Sequence, residues 1–182
     1  MTKPFKAGIT GTGSALPDKK LTNFQLESIV ETSDEWIVKR TGIRERRILD
    51  EDFPLARLAA EAARKAVSDA GITAGDIDLI VATTITPDYM TPSLACQVQK
   101  LIKAGKAAAF DMNAACTGFI YALEVARQFI ENGSCRNILI VSAEAMSRAT
   151  DFTDRRTCVL FGDGAGAVVL SRVDDGTGVG ST

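Results

Sequence analysis

The sequence predicts an α/β protein built on a mainly parallel sheet with helices on both faces. Three observations lead there. Short apolar runs alternate with amphipathic stretches, glycines fall where helices should stop, and residues 107–142 read as one strand–helix–strand unit. Lys6 to Ser14 reads as a first strand, ending in glycines and then Leu16-Pro17. Thr22 is placed to cap a short helix through Val30, and a second helix is expected from Ser33 to Arg40. Ser33 followed by Trp36 lacks the Glu of a capping box, but Asp34 and Glu35 suit the first turn. Leu55 to Ala70 is a long alanine-rich helix with Gly71 as its stop. Asp78 to Thr84 is a buried strand, and Pro92 opens a helix that runs to about Ala104 and ends at Gly105. In the central unit, Ala107 to Met112 is a strand, Cys116 to Asn132 a helix closed by Gly133, and Asn137 to Ser142 the next strand. The crossover is expected to be right-handed. Phe161 to Ala167 leads through glycines into a last strand, Val168-Val-Leu170, followed by a glycine-rich tail.

A chain of 182 residues is enough for one domain with a sizeable core. Its 46% hydrophobic and 24% charged residues fit a globular protein. A formal charge of −2, with no basic stripe interleaved with aromatics, argues against nucleic acid as a partner. No run approaches the roughly 18 apolar residues of a membrane span. The opening Met-Thr-Lys-Pro-Phe-Lys has no apolar signal core, so a cytoplasmic location is expected. Cys96, Cys116, Cys135 and Cys158 form no Cys-x-x-Cys pair, which suggests free thiols rather than zinc or disulfides. The chain has no histidine. That excludes a self-contained Cys–His hydrolase and any histidine-ligated metal, and no metal or other cofactor is expected.

Cys116 stands where a strand gives way to a helix. Unpaired N–H groups and about half a positive charge there favour thiolate over thiol and could hold an oxyanion. Small neighbours (Ala114, Ala115, Thr117, Gly118) leave the sulfur approachable. The competing reading is a buried structural cysteine. Cys96, Cys135 and Cys158 lack this context and read as packing residues. Gly162-Asp-Gly-Ala-Gly166 does not have the form of a dinucleotide loop, and its glycines read as permitting close backbone packing. Arg44, Arg46 and Arg47 could attract phosphate or a carrier protein, but a solvated face accounts for them as well. By residue type alone, Trp36 is a core aromatic and Arg40 and Arg155 are solvated charges.

Six ordered stretches carry a resemblance. They are Gly11-Thr-Gly-Ser-Ala-Leu-Pro17, Thr32-Ser-Asp-Glu-Trp-Ile37, Arg40-Thr-Gly-Ile-Arg-Glu-Arg46, Pro92-Ser-Leu-Ala-Cys-Gln97, Ala114-Ala-Cys-Thr-Gly-Phe119 and Phe161-Gly-Asp-Gly-Ala-Gly-Ala167. Together the chain resembles the N-terminal half of a β-ketoacyl-acyl-carrier-protein synthase III, in the thiolase-like superfamily. The resemblance implies the N-terminal half of the layered αβαβα fold, over residues 1–174, with 175–182 beginning a linker to a second half. It implies an acyltransferase that initiates fatty acid synthesis. Cys116 would be acylated by a short acyl-CoA and then condensed with malonyl-acyl-carrier-protein, with loss of CO₂. Trp36 and Arg155 match the residues that sandwich the adenine of CoA, Thr32 one that hydrogen-bonds it, and Arg40 one near the pyrophosphate. At the position of Thr91, members that prefer acetyl-CoA commonly have phenylalanine, which closes the acyl pocket across a homodimer interface. The smaller Thr91 implies tolerance of longer primers.

The family's second half supplies the histidine and asparagine for decarboxylation. With no histidine, this chain is not expected to condense alone but to need a C-terminal half carrying both residues. A non-catalytic acyl-CoA-binding module and a polyketide starter synthase are the competing readings.

Overall fold

A computed structural model describes residues 5–173 and 178–180. Strand β1 (Lys6–Ala15) is the predicted first strand, extended by one residue. A short hairpin follows that the sequence does not announce, with β2 (Lys20–Thr22) antiparallel to β3 (Glu45–Arg47). Between them lie α1 (Asn23–Glu27) and α2 (Asp34–Thr41). Thr22 caps α1 as expected, in a full capping box with Gln25, but the helix ends at Glu27 rather than Val30. Ser33 caps α2 by accepting from the Trp36 N–H at 3.1 Å, with Asp34 and Glu35 in the first turn and Lys39 and Arg40 in the last.

Helix α3 (Leu55–Asp69) starts at Pro54, which has no capping side chain. The Asp88 carboxylate supplies the cap from the loop after β4, accepting from the Leu55 and Ala56 N–H groups at 2.9 Å each. Gly71 takes the left-handed conformation beyond its end, as predicted. Strand β4 (Leu79–Thr83) is buried along its whole length. Helix α4 (Leu94–Ile102) is capped by Ser93, and Asp111 accepts from the Leu94 and Ala95 N–H groups at 2.7 Å each. It stops earlier than predicted. Lys103, not Gly105, turns left-handed at φ 64° and closes it.

Strand β5 (Ala108–Met112) leads into a 3₁₀ turn, Ala115–Thr117, and then α5 (Gly118–Glu131), with Gly133 left-handed beyond it. Cys116 therefore lies in the turn before the helix, not in its first turn. Strand β6 (Asn137–Ala145) runs three residues past the expected end. The glycine-rich Asp163–Ala167 does not merely lead into the last strand. It is the first half of β7 (Asp163–Val173), paired with β6 throughout and with β1 from Ala165 onward. The expected boundary at residue 174 and much of the linker lie outside the described residues. Val179 donates to the Ala7 carbonyl at 2.7 Å, which sets residues 178–180 beside β1.

The five-stranded sheet has the order β1-β7-β6-β4-β5. Strands β6, β4 and β5 are parallel, and β1 and β7 are antiparallel to their neighbours. The β5–α5–β6 unit crosses over β4. Side chains alternate between the faces: Ile80, Ala82, Leu139, Val141 and Val169 pack under α3 and α4. Leu79, Val81, Ile138, Ile140 and Leu170 pack under Ala122, Ala126 and Ile130 of α5. A third small core joins Leu26 and Ile37 of the helical excursion to Cys158 and Val159.

Candidate active site

Cys116 follows β5 at the carboxyl ends of the parallel strands, where α/β sheets usually bind ligands. It is exposed, which removes the reading as a buried structural thiol. Ala115, just before it, is held at φ 46°, a conformation that costs a non-glycine residue roughly 1–2 kcal/mol. Thr117 closes the turn by donating its Oγ1–H to the Ala114 carbonyl at 2.8 Å. Helix α5 starts without a side-chain cap. A Cβ at 118 would stand 3.1 Å from the Thr83 Cβ, closer than an ordinary contact, so the glycine lets the bend pack tightly there. The thiol is thus carried on a tight, strained bend anchored to the end of β4.

The other thiols differ. Cys158 is fully buried, and burial pushes its thiol up. Cys135 is half-buried and shifted the same way for the same reason. Cys96 is half-buried beside the Ala109 carbonyl.

Three of the predicted nucleotide-binding residues come together from two separate stretches. The Arg40 guanidinium lies 4.3 Å from the centre of the Trp36 ring, and Arg155 lies 4.9 Å from it. Trp36 is half-buried at the edge of the third core, so it is neither a plain core aromatic nor free. Thr32 lies four residues before Trp36, and its buried Oγ1 has no hydrogen-bond partner, an unusual state for a buried hydroxyl. Thr91 is exposed beside Tyr89 and Met90, the latter 90% exposed.

Several residues that hold this region escaped the sequence reading. Glu144, at the end of β6, accepts from the Ile85 N–H at 2.9 Å and from the hydroxyls of Thr84 at 3.2 Å and Thr86 at 2.5 Å. It fixes the start of the segment that carries Thr91. Asp88 pins the same segment to Arg148 at 3.0 Å. Asp163, buried in the glycine stretch, accepts from Leu49 N–H at 2.6 Å and from Ser147 N–H at 2.8 Å. The reading of Arg46 as a possible solvated charge is overturned, since it is 3% exposed and bonded to Asn23 and Val159. The packing role holds for two of the three glycines: a Cβ on Gly162 would come 3.1 Å from the Arg46 Cβ and one on Gly164 3.1 Å from Leu16, whereas Gly166 has nothing within 4 Å of such an atom. Among the described residues, no group of acidic, cysteine or histidine side chains could hold a metal ion, and no helix is long and apolar enough to cross a membrane.

Comparison with known proteins agrees with this geometry. The family model of 3-oxoacyl-[acyl-carrier-protein] synthase III matches residues 110–182. The β-ketoacyl-[acyl-carrier-protein] synthase III of Caldanaerobacter subterraneus subsp. tengcongensis is 52% identical over 179 residues, which cover 98% of this chain and 54% of that protein. The crystal structure of the Aquifex aeolicus VF5 3-oxoacyl-[acyl-carrier-protein] synthase III superposes with a TM-score of 0.90 at 52% identity, over 93% of this chain and 55% of the other. The priming β-ketosynthase of the R1128 polyketide pathway superposes at 0.91 with 36% identity, over 96% and 52%. The fold is thus that of the thiolase-like synthases. On these matches the chain is similar, along nearly its whole length, to the β-ketoacyl-[acyl-carrier-protein] synthases III, and it spans about half the length of the relatives it matches.

Proposed function

We propose that this chain is the thiol-bearing half of an initiating condensing enzyme, with Cys116 accepting a short acyl group from acyl-CoA. The observation that carries the reading is the gathering of Trp36, Arg40 and Arg155, with a buried, unpaired Thr32 hydroxyl four residues before Trp36 in the chain. Indole and guanidinium planes stack well on a flat heterocycle, and guanidinium also suits phosphate. In the proposed step the Cys116 sulfur bonds to the acyl carbon and the bond from that carbon to the CoA sulfur breaks. The thiol proton leaves with CoA as its free thiol. Unpaired N–H groups at the start of α5 support the oxyanion formed on the way. Condensation with malonyl-acyl-carrier-protein then needs a second half that brings histidine and asparagine, and the working enzyme is a homodimer of such units.

A polyketide starter role is the second reading. It is favoured by the small Thr91 and by the likeness to the R1128 priming synthase. A non-catalytic CoA-binding module accounts less well for an exposed cysteine on a strained bend.

Mass spectrometry after incubation with acetyl-CoA tests the first step. One acetyl group is expected on Cys116, and none in Cys116→Ala. Adding a histidine-containing C-terminal partner should then release labelled CO₂ from malonyl-carrier protein. Retained CoA binding without acylation or condensation would leave only the binding module.

A further inference from the structure

Trp36 and Arg155 are 119 positions apart in sequence, and a continuous set of hydrogen bonds joins the two segments that carry them. Its centre is Arg46 of β3, whose Nε donates to the Val159 carbonyl at 3.1 Å, as does its Nη2. Val159 is four residues beyond Arg155, in the turn that ends in Phe161-Gly162. Arg46 Nη1 donates to Asn23 Oδ1 at 2.5 Å. Asn23 is fully buried, and its Nδ2 donates to Asp34 Oδ1 and to the Ile43 carbonyl, both at 2.8 Å. Asp34 is the first residue of α2, two before Trp36. One buried guanidinium is thus bonded on one side to the Arg155 turn and linked on the other, through Asn23, to the root of the Trp36 helix.

Such burial is costly. Both acceptors of Arg46 are neutral, a carbonyl and an amide, whereas buried charges are normally paired with a carboxylate or phosphate. An apolar side chain would fill the same space more cheaply. Gly162 adds a third contact, since a Cβ there would stand 3.1 Å from both the Arg46 Cβ and the Arg47 carbonyl oxygen of β3, closer than an ordinary contact. A guanidinium can hold two acceptors in a fixed fork, which neither lysine nor an apolar residue does.

We propose that Arg46, through Val159 on one side and Asn23 on the other, sets the spacing between Arg155 and Trp36 and is a positioning residue for the nucleotide end of the acyl donor. The inference rests on the reading of Trp36 and Arg155 as the nucleotide clamp. It adds that the backbone positions from which the two clamp side chains reach the ligand are fixed from beneath by a residue that does not touch the ligand.

The test compares two acyl donors on the full chain: acetyl-CoA and S-acetyl-N-acetylcysteamine, which offers the same acyl group without a nucleotide. In Arg46→Lys and Arg46→Met, acylation of Cys116 by sub-saturating acetyl-CoA should slow about tenfold. The rate from the short thioester should stay within about twofold of wild type. Trp36 is the single tryptophan of the chain, so its emission reports CoA binding independently of the thiol, and CoA affinity should fall by the same factor. Asn23→Ser, which cuts the set of bonds at its other end, should repeat the pattern and serves if the Arg46 variants do not fold. Equal slowing with both donors, or no slowing with either, overturns the proposal. Wild-type chain that accepts the short thioester but neither binds CoA nor reacts with acetyl-CoA removes the nucleotide clamp itself, and with it the role of Arg46.

Discussion

Helix α3 turns nine of its fifteen residues into the protein, whereas α5 turns in only four of fourteen. Under α3 the fit reaches the backbone: a Cβ on Gly13 would lie 2.2 Å from the Ala62 carbonyl oxygen, and one on Gly11 2.3 Å from that of Ala66. Helix α5 rests on the stripe Gly118, Ala122, Ala126 and Ile130, and leaves Ile120 48% and Tyr121 54% exposed. The chain therefore closes one side of its sheet by itself. The other side, which bears Cys116, is left with apolar side chains facing outward, as suits a helix that meets a further layer in the proposed two-half enzyme.

The contrast can be broken at its tightest point. Gly13→Ala should destabilise the chain by about 3 kcal/mol, because neither α3 nor β1 can yield without leaving the sheet. Gly118→Ala, which meets a side chain at 3.1 Å rather than backbone at 2.2 Å, should cost about 1 kcal/mol. Urea unfolding of the two variants measures both, and equal costs would mean that the faces are equally tight. Next in size is association. The isolated chain should self-associate through its open side, and Ile120→Lys with Tyr121→Glu should shift it towards monomer in sedimentation. A wild-type chain that sediments as a single cooperative monomer would contradict the open face. The smallest effect concerns primer length. If Thr91 leaves acyl space unfilled, Thr91→Phe in the reconstituted enzyme should remove a preference of about 0.8 kcal/mol for each extra CH₂. Strict acetyl preference that Thr91→Phe does not alter would sink the idea.

The features legible in the sequence were those encoded locally. Thr22, Ser33 and Gly71 mark helix ends through bonds or dihedrals within a few residues, and they fell where expected. Errors arose where a distant partner decides. Lys103 ends α4 in a conformation usually left to glycine, so Gly105 looked like the better stop. The Asp163–Ala167 stretch is poor in strand-forming residues, yet it is held as strand by β6 along its whole length and by β1 from Ala165 onward. Asp88 and Asp111 cap helices from loops and strands 33 and 17 residues away, with no local pattern to announce them. Arg46 reads as a surface charge beside Arg44 and Arg47, and only the approach of Val159 and Asn23 shows it to be interior. At the site, motif order pointed to Cys116, Trp36 and Arg155. The strained Ala115 and the Glu144 anchor came from geometry alone.

One consequence of the Trp36 cluster concerns how a nucleotide would enter. Arg155 already stands 4.9 Å from the indole centre, while a base stacked between them needs contacts of about 3.5 Å on each side, hence about 7 Å. Entry is then an exchange of one planar partner for another rather than the filling of a gap. The arriving ring must displace a cation–π contact of about 0.5–1 kcal/mol, and the measured affinity is scaled down by the fraction of time Arg155 stands aside. The guanidinium covers the indole surface, and on the proposed reading only ligands whose stacking outweighs that contact would displace it.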